Sequence, residues 1–302
     1  MMETTRDIAL PPGYRIADVI AFHGRDLEAV AEQVDASGLR KGVLLGGVPT
    51  LLDIRFDGDV ARCRVAFDAS ATPDLEAQAQ DALLNVLGLR IDPTPFADFA
   101  RGDAVFGPIL AHQPGLRIVQ SASVFEALTW AIIGQQINLT FAIALRRTLI
   151  QLAGRMHASG VWCYPEAADV ARLALEDLTS RKFSHAKAET ILRVAHMVAE
   201  GSLLLERERD AAQVSAELLA IKGIGPWTVN YVLLRGYGYA DCSLHGDVAV
   251  RAALHHLTGS EQRPTLLEAE HLLARYAPHR TMAAAYLWAS LAEPSKDSGT
   301  ER

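Results

Sequence analysis

The segment from Glu217 to Arg251 constrains this chain more than any other. A short apolar helix runs up to Lys222, Gly223-Ile224-Gly225 makes a tight turn, and a second helix opens at Pro226. Proline suits the first turn of a helix, where its missing N–H costs nothing. Two glycines around one apolar residue leave backbone N–H groups bare at a helix N-terminus. That is an anion site, with phosphate as the obvious ligand. Further on, Asp247 follows Gly246 and opens another apolar-periodic segment. A phosphate cradle followed by an acid points to an enzyme that holds a nucleic-acid backbone and acts beside it. The plainer alternative is a helix C-cap and a sharp corner, which glycine suits equally well.

Length and composition set outer limits. A chain of 302 residues allows one large domain or a few small ones, with ample core. Hydrophobic content of 50% with 22% charged residues is ordinary for a compact protein. No run approaches the ~18 apolar residues of a membrane helix. The N-terminus carries acidic residues early and no apolar core, so no secretory signal is expected there. Cys63, Cys163 and Cys242 are odd in number and far apart, which fits reduced thiols in a cytosol and excludes a four-cysteine iron–sulfur cluster. The histidines form no cluster at metal-ligand spacing.

A net charge of −7 counts against a nucleic-acid partner. The distribution softens the objection. Arg181, Lys182, Lys187 and Arg193 face a single nearby acid, Glu189, while acids crowd 24–35 and 53–103. A binder that grips phosphates through backbone N–H groups also needs fewer cationic side chains. Weak non-specific affinity for DNA is expected.

Residues 42–68 have the composition of β structure, with Asp57-Gly58-Asp59 as a hairpin turn and apolar/polar alternation in the segment after it. From Asp74 the spacing becomes helical and ends near Gly88. Strands followed by a helix predict an α+β domain over residues 1–112, and a helical body follows over 113–293 with the helix-hairpin-helix at about 217–236. Residues 294–302 are polar and expected to be a flexible tail.

The string Gly223-Ile224-Gly225-Pro226-Trp227-Thr228-Val229-Asn230-Tyr231 resembles the helix-hairpin-helix motif of the DNA glycosylase superfamily, and most of all its inducible 3-methyladenine DNA glycosylase II branch. Phe125-Glu126-Ala127-Leu128 and Ala131-Ile132-Ile133-Gly134-Gln135-Gln136-Ile137 are similar to the first core helix of that family and the turn after it. Pro278-His279-Arg280, with Trp288 beyond, is similar to the closing helix. The resemblance spans roughly residues 115–290 and implies a mostly α fold with an N-terminal α+β domain and a two-lobed helical body split by a DNA-binding cleft. It also implies a monomeric, cytoplasmic, nucleoid-associated enzyme that flips alkylated bases out of double-stranded DNA and hydrolyses their glycosidic bonds in base excision repair. No membrane is involved and no cofactor is required. The alternatives are a glycosylase of the same fold for deaminated or oxidised purines, and a non-catalytic helix-hairpin-helix module that binds DNA.

Residue by residue, the resemblance puts the catalytic carboxylate at Asp247, although Gly246 precedes it where a familiar relative has a second acid. On spacing alone Asp247 is as well read as a helix N-cap, and the two roles can coexist. Trp227, Tyr231, Trp288 and Phe22 form the expected base pocket. Trp227 and Tyr231 share one helical face, which also suits plain core packing. Aromatic faces would attract the positive charge of an alkylated purine. Lyase-type relatives carry a nucleophilic lysine where this chain has Trp227, so hydrolysis without strand cleavage is expected. Gly223, Gly225, Thr228, Lys187 and Lys222 are the expected DNA-backbone contacts. Gln136 and Gln135 occupy the duplex-wedge position, or simply cap a turn. Carbonyls of Leu219, Ile221 and Ile224 would hold a monovalent cation.

Overall fold

The computed structural model describes residues 2–292, so the expected tail at 294–302 lies outside the described residues. The chain forms two compact units, Met1–Arg90 with Val119–Gly238, and Ile91–Ile118 with Tyr239–Arg302. It leaves the first unit, enters the second and comes back, whereas the sequence pattern suggests a single boundary between 112 and 113.

The first unit carries the sheet. Its strands are β1 (Met2–Ala9), β2 (Glu32–Asp35), β3 (Gly38–Leu45), β4 (Val48–Asp57), β5 (Val60–Phe67), β6 (Arg155–Met156) and β7 (Trp162–Tyr164). They lie in the order β1-β5-β4-β3-β7-β6, with β2 also on β3. The hairpin expected around Gly58 is the β4–β5 pair, with Asp57 opposite Val60. The parallel β3–β7 pair, with Gly42 opposite Cys163, brings a segment from far along the chain back to the N-terminal strands.

Helix Pro73–Val86 covers this sheet. Thr72 caps it by accepting from the Leu75 N–H, and Pro73 opens it. Leu75, Ala79, Ala82, Leu83 and Val86 form its inner stripe and pack with Val43, Leu52, Val65 and Phe67. The body of the unit includes helices Val124–Gly134, Leu139–Ala153, His185–Ala199, Ala211–Leu219 and Pro226–Val232.

Sheet and helices are joined by a buried ion cluster. Lys41 on β3 is only 1% exposed, and its ammonium lies 2.6 Å from Glu32 Oε1 and 2.9 Å from Glu126 Oε1. Arg146 bridges the same two carboxylates at 3.0 and 2.7 Å, and His23 Nδ1 is 2.8 Å from Glu32. Burial alone would raise both carboxyls. Arg146 and Lys41 outweigh it, holding Glu32 well below the usual carboxylate range and Glu126 below it too.

The second unit has an aromatic core. Phe96 and Phe106 meet edge to face at 5.2 Å, Phe106 meets Tyr276 at 4.6 Å, and Tyr286 lies 5.6 Å from Phe96. Tyr276 donates to Asp103 at 3.1 Å, which fastens helix Phe106–His112 to the segment before the closing helix Arg280–Ala292.

All three cysteines are buried and unbridged. Burial pushes the Cys63 and Cys242 thiols up to about 12 and Cys163 to about 11, so none is a ready thiolate. Among the described residues no helix is long and apolar enough to cross a membrane, and no metal-binding cluster of His, Cys, Asp and Glu occurs.

Candidate functional site

The hairpin forms as the residues dictate. Helix Ala211–Leu219, capped by Asp210, ends at Ala220, and helix Pro226–Val232 begins from Gly225 in extended conformation. The two glycines differ in kind. Gly223 has φ +97°, and a Cβ there would stand 2.2 Å from Thr190 Oγ1 on helix His185–Ala199. Gly225 has φ −109°, and a Cβ there would meet nothing within 4 Å. Only the first is demanded by the fold; the second leaves open space at the helix start.

The turn after helix Val124–Gly134 is tied to this hairpin. Gln135 Nε2 donates to the Gly223 carbonyl at 3.0 Å and to Thr228 Oγ1 at 2.9 Å. Gln135 is therefore a strut, and Thr228 is buried beneath it. Gln136 is the exposed member of the pair and sits at φ +55°, unusual for a residue with a side chain. Lys187 fixes the turn from below, its ammonium donating to the carbonyls of Ile132 at 3.3 Å, Ile133 at 3.0 Å and Gln135. Its amine, expected at phosphate, is engaged in capping this helix end, and burial lowers its pKa. Lys222 is exposed, and its carbonyl accepts from Arg193 at 2.9 Å. Of the three candidate cation-binding carbonyls, Ile221 already accepts one bond from the Ile224 N–H at 3.0 Å.

An aromatic wall stands in the same unit. Trp227 and Tyr231 lie one turn apart with ring centroids 5.2 Å apart. Trp130 donates its indole N–H to the Tyr231 hydroxyl at 2.9 Å. Phe22 belongs to the group through two guanidiniums: Arg25 lies 3.9 Å from its ring centroid and Arg235 lies 4.8 Å from it. Arg25 is also 5.6 Å from the Trp130 ring, and Arg235 hydrogen-bonds Tyr231. Trp130, Arg25 and Arg235 escaped the sequence reading. Arg235 stands four residues after Tyr231 and was visible by helical spacing; Arg25 and Trp130 reach the wall only through tertiary packing.

Asp247 and Trp288 belong to the second unit. Asp247 is the N-cap of helix Val248–Thr258, its Oδ1 accepting from Ala249 N at 2.9 Å and Val250 N at 3.0 Å. The Trp288 indole donates to that same oxygen at 3.1 Å. The geometry comes from helix Arg280–Ala292. At its start the Arg280 guanidinium grips Asp241 with two bonds of 2.7 Å, and Thr281 Oγ1 accepts from the Cys242 N–H at 2.9 Å. Two turns on, the same helical side presents Trp288 to Asp247. Asp247 is half-buried, and His245 beside it is held by Ser243 at 3.0 Å.

Residues 129–279 match the family of HhH-GPD superfamily base excision DNA repair proteins. A DNA-3-methyladenine glycosylase of Bacillus subtilis is 31% identical over 65% of this chain and 67% of its own length. DNA-3-methyladenine glycosylase 2 of Escherichia coli is 27% identical over 87% of each chain. A 3-methyladenine DNA-glycosylase structure from Archaeoglobus fulgidus shares the fold with a TM-score of 0.79, 21% identity, and coverage of 94% of this chain and 97% of that one.

Proposed function

The chain belongs to the HhH-GPD superfamily of base excision DNA repair proteins, and from that membership we propose that it is a monofunctional DNA glycosylase releasing alkylated purines such as 3-methyladenine and 7-methylguanine from double-stranded DNA. In this reading the backbone at Gly225 and the start of the following helix hold a phosphate. The flipped base enters the aromatic wall of Trp227, Tyr231 and Phe22, and Gln136 fills the gap left in the duplex.

Asp247 is the observation that carries the reading. Breaking a glycosidic bond develops positive charge on the sugar, and a fixed carboxylate stabilises that cation. Two backbone N–H groups and an indole fix this one. An alkylated purine already bears positive charge and leaves as a neutral base, so no strong acid is needed to protonate it. Water completes the hydrolysis at the sugar carbon. Trp227 offers no amine, so no Schiff base forms and the abasic strand stays intact. No cofactor takes part in this chemistry. The carbonyls of Leu219, Ile221 and Ile224 are suited to a monovalent cation, since each oxygen has a second lone pair to give. The protein works as a monomer on DNA, in the cytoplasm.

A non-catalytic DNA module would gain nothing from a carboxylate facing phosphates. Incubating the protein with methylated DNA and separating free bases by chromatography tests the proposal. Release of 3-methyladenine and 7-methylguanine is expected; DNA binding without any free base would favour the binding module.

A further inference from the structure

The Lys187 ammonium directs its donors at backbone and not at solvent. It donates to the carbonyl of Ile132 at 3.3 Å, of Ile133 at 3.0 Å and of Gln135. An ammonium has three N–H donors, so three carbonyls leave none for a DNA phosphate. These carbonyls belong to the last turn of helix Val124–Gly134 and the residue that caps it. A helix end leaves its final carbonyls without intrahelical partners, and the helix dipole concentrates negative charge there. Lys187 comes from another helix, His185–Ala199, and brings both the missing donors and a positive charge.

Gln136 follows directly. It is exposed and held at φ +55°, a conformation that residues with a side chain adopt only at a cost. Its neighbours are pinned on both sides. Before it, the Gln135 amide donates to the Gly223 carbonyl at 3.0 Å and to Thr228 Oγ1 at 2.9 Å. After it, Asn138 caps helix Leu139–Ala153 by accepting from the Phe141 N–H at 2.9 Å. Gln136 therefore stands exposed on a turn fixed at its entry, its floor and its exit. Flipping a nucleotide costs stacking energy, and a side chain that fills the gap offsets part of it. A filler on a loose turn would lose conformational freedom at that moment; one already held loses little.

We propose that Lys187 is a positioning residue for base excision: by gathering the carbonyls of Ile132, Ile133 and Gln135 it sets the turn that offers Gln136 to the duplex before DNA arrives. The inference rests on the glycosylase reading above and on Gln136 being the duplex wedge. Lys187 itself touches neither base nor sugar, and its effect passes through Gln136.

Single-turnover excision of 7-methylguanine from duplex DNA tests this in wild type, Lys187→Met, Gln136→Ala and the double variant. Each single variant should slow release by roughly 10–100-fold, the scale of a group misplaced by about an ångström. The double variant should be no slower than the slower single one, because both changes remove the same function. Lys187→Arg, whose guanidinium can still donate to these carbonyls, should recover most of the rate. If Lys187→Met does not fold, as judged by thermal unfolding, Lys187→Gln takes its place in the cycle. Slowing factors that multiply in the double variant would mean that Lys187 supports the fold at large, and would overturn the proposal. So would a folded Lys187→Met that excises at the wild-type rate. Full activity in Gln136→Ala would remove the wedge and this inference with it, while alkylbase excision would stand. Release of no base by wild type would remove both.

Discussion

The indole N–H of Trp288 and the backbone N–H groups of Ala249 and Val250 all donate to one oxygen of Asp247, Oδ1, with the indole at 3.1 Å. A single carboxylate thereby serves as helix cap and as candidate catalyst, and the two roles can be separated by mutation. Asparagine caps helices about as well as aspartate but carries no charge.

Asp247→Asn is expected to keep the melting temperature of the wild type and to lose base release by a factor corresponding to roughly 3–5 kcal/mol of barrier. Binding to DNA with an abasic analogue should hold or improve, because a charge that repels phosphate is gone. Asp247→Ala should lose activity and also about 1 kcal/mol of stability, the usual worth of an N-cap. Near-normal excision by the Asn variant would sink the assignment.

Strand cleavage is a second test. With an indole at Trp227 in place of an amine, borohydride added during turnover on methylated duplex should trap no protein–DNA adduct, and the abasic strand should run at full length. A stoichiometric adduct would identify Lys222 or the N-terminal amine as a nucleophile.

What could be read from sequence and what could not divides by contact range. The Gly223-Ile224-Gly225 turn, the Pro226 start, the Asp247 cap and the β4–β5 hairpin depend on neighbouring residues, and these stand in the structure where their residue types put them. Strand β7 gives no strong local signal, because three residues become a strand only on meeting β3. Glu126 was legible as part of a core helix, yet its partner Lys41 lies 85 residues away on a strand. The family resemblance places Gln135 at the duplex wedge and its spacing allows a turn cap, while its side chain is bonded to a hairpin 88 residues further on. Nothing in their local spacing distinguishes a strut from a probe.

The buried ion cluster sets an acid limit on stability. Glu32 and Glu126 titrate below their ordinary range when folded, so their contribution is full above the unfolded carboxyl pKa and is lost as pH falls through the lower folded values. Urea unfolding should give a flat stability from pH 7 to about pH 5 and a decline below about pH 4.5. Lys41→Met, which strands two buried carboxylates beside a single arginine, should cost about 3–5 kcal/mol at pH 7. The acid decline should be shallower in that variant, since removing Lys41 lets both carboxyls rise towards their unfolded values. An unchanged acid slope would show that the cluster does not govern acid stability.

The hairpin glycines give a last test, because the structure separates their roles. Gly223 has a positive φ and no room for a methyl group against Thr190, so Gly223→Ala should destabilise the protein by about 1–3 kcal/mol and say little about DNA. Gly225 has an extended backbone and open space where a side chain would go, so Gly225→Val should fold with an unchanged melting temperature. Its new methyl groups would occupy the space at the N-terminus of helix Pro226–Val232, where a phosphate is proposed to bind. Phosphate contacts carry no sequence information. Affinity for undamaged and abasic duplexes should therefore fall several-fold, by the same factor whatever the sequence, and its dependence on salt should weaken if a phosphate contact is lost. Fluorescence anisotropy on two unrelated duplexes at two salt concentrations measures all three. Unchanged affinity in the folded Gly225→Val protein would reduce the hairpin to a structural corner and move the phosphate grip elsewhere.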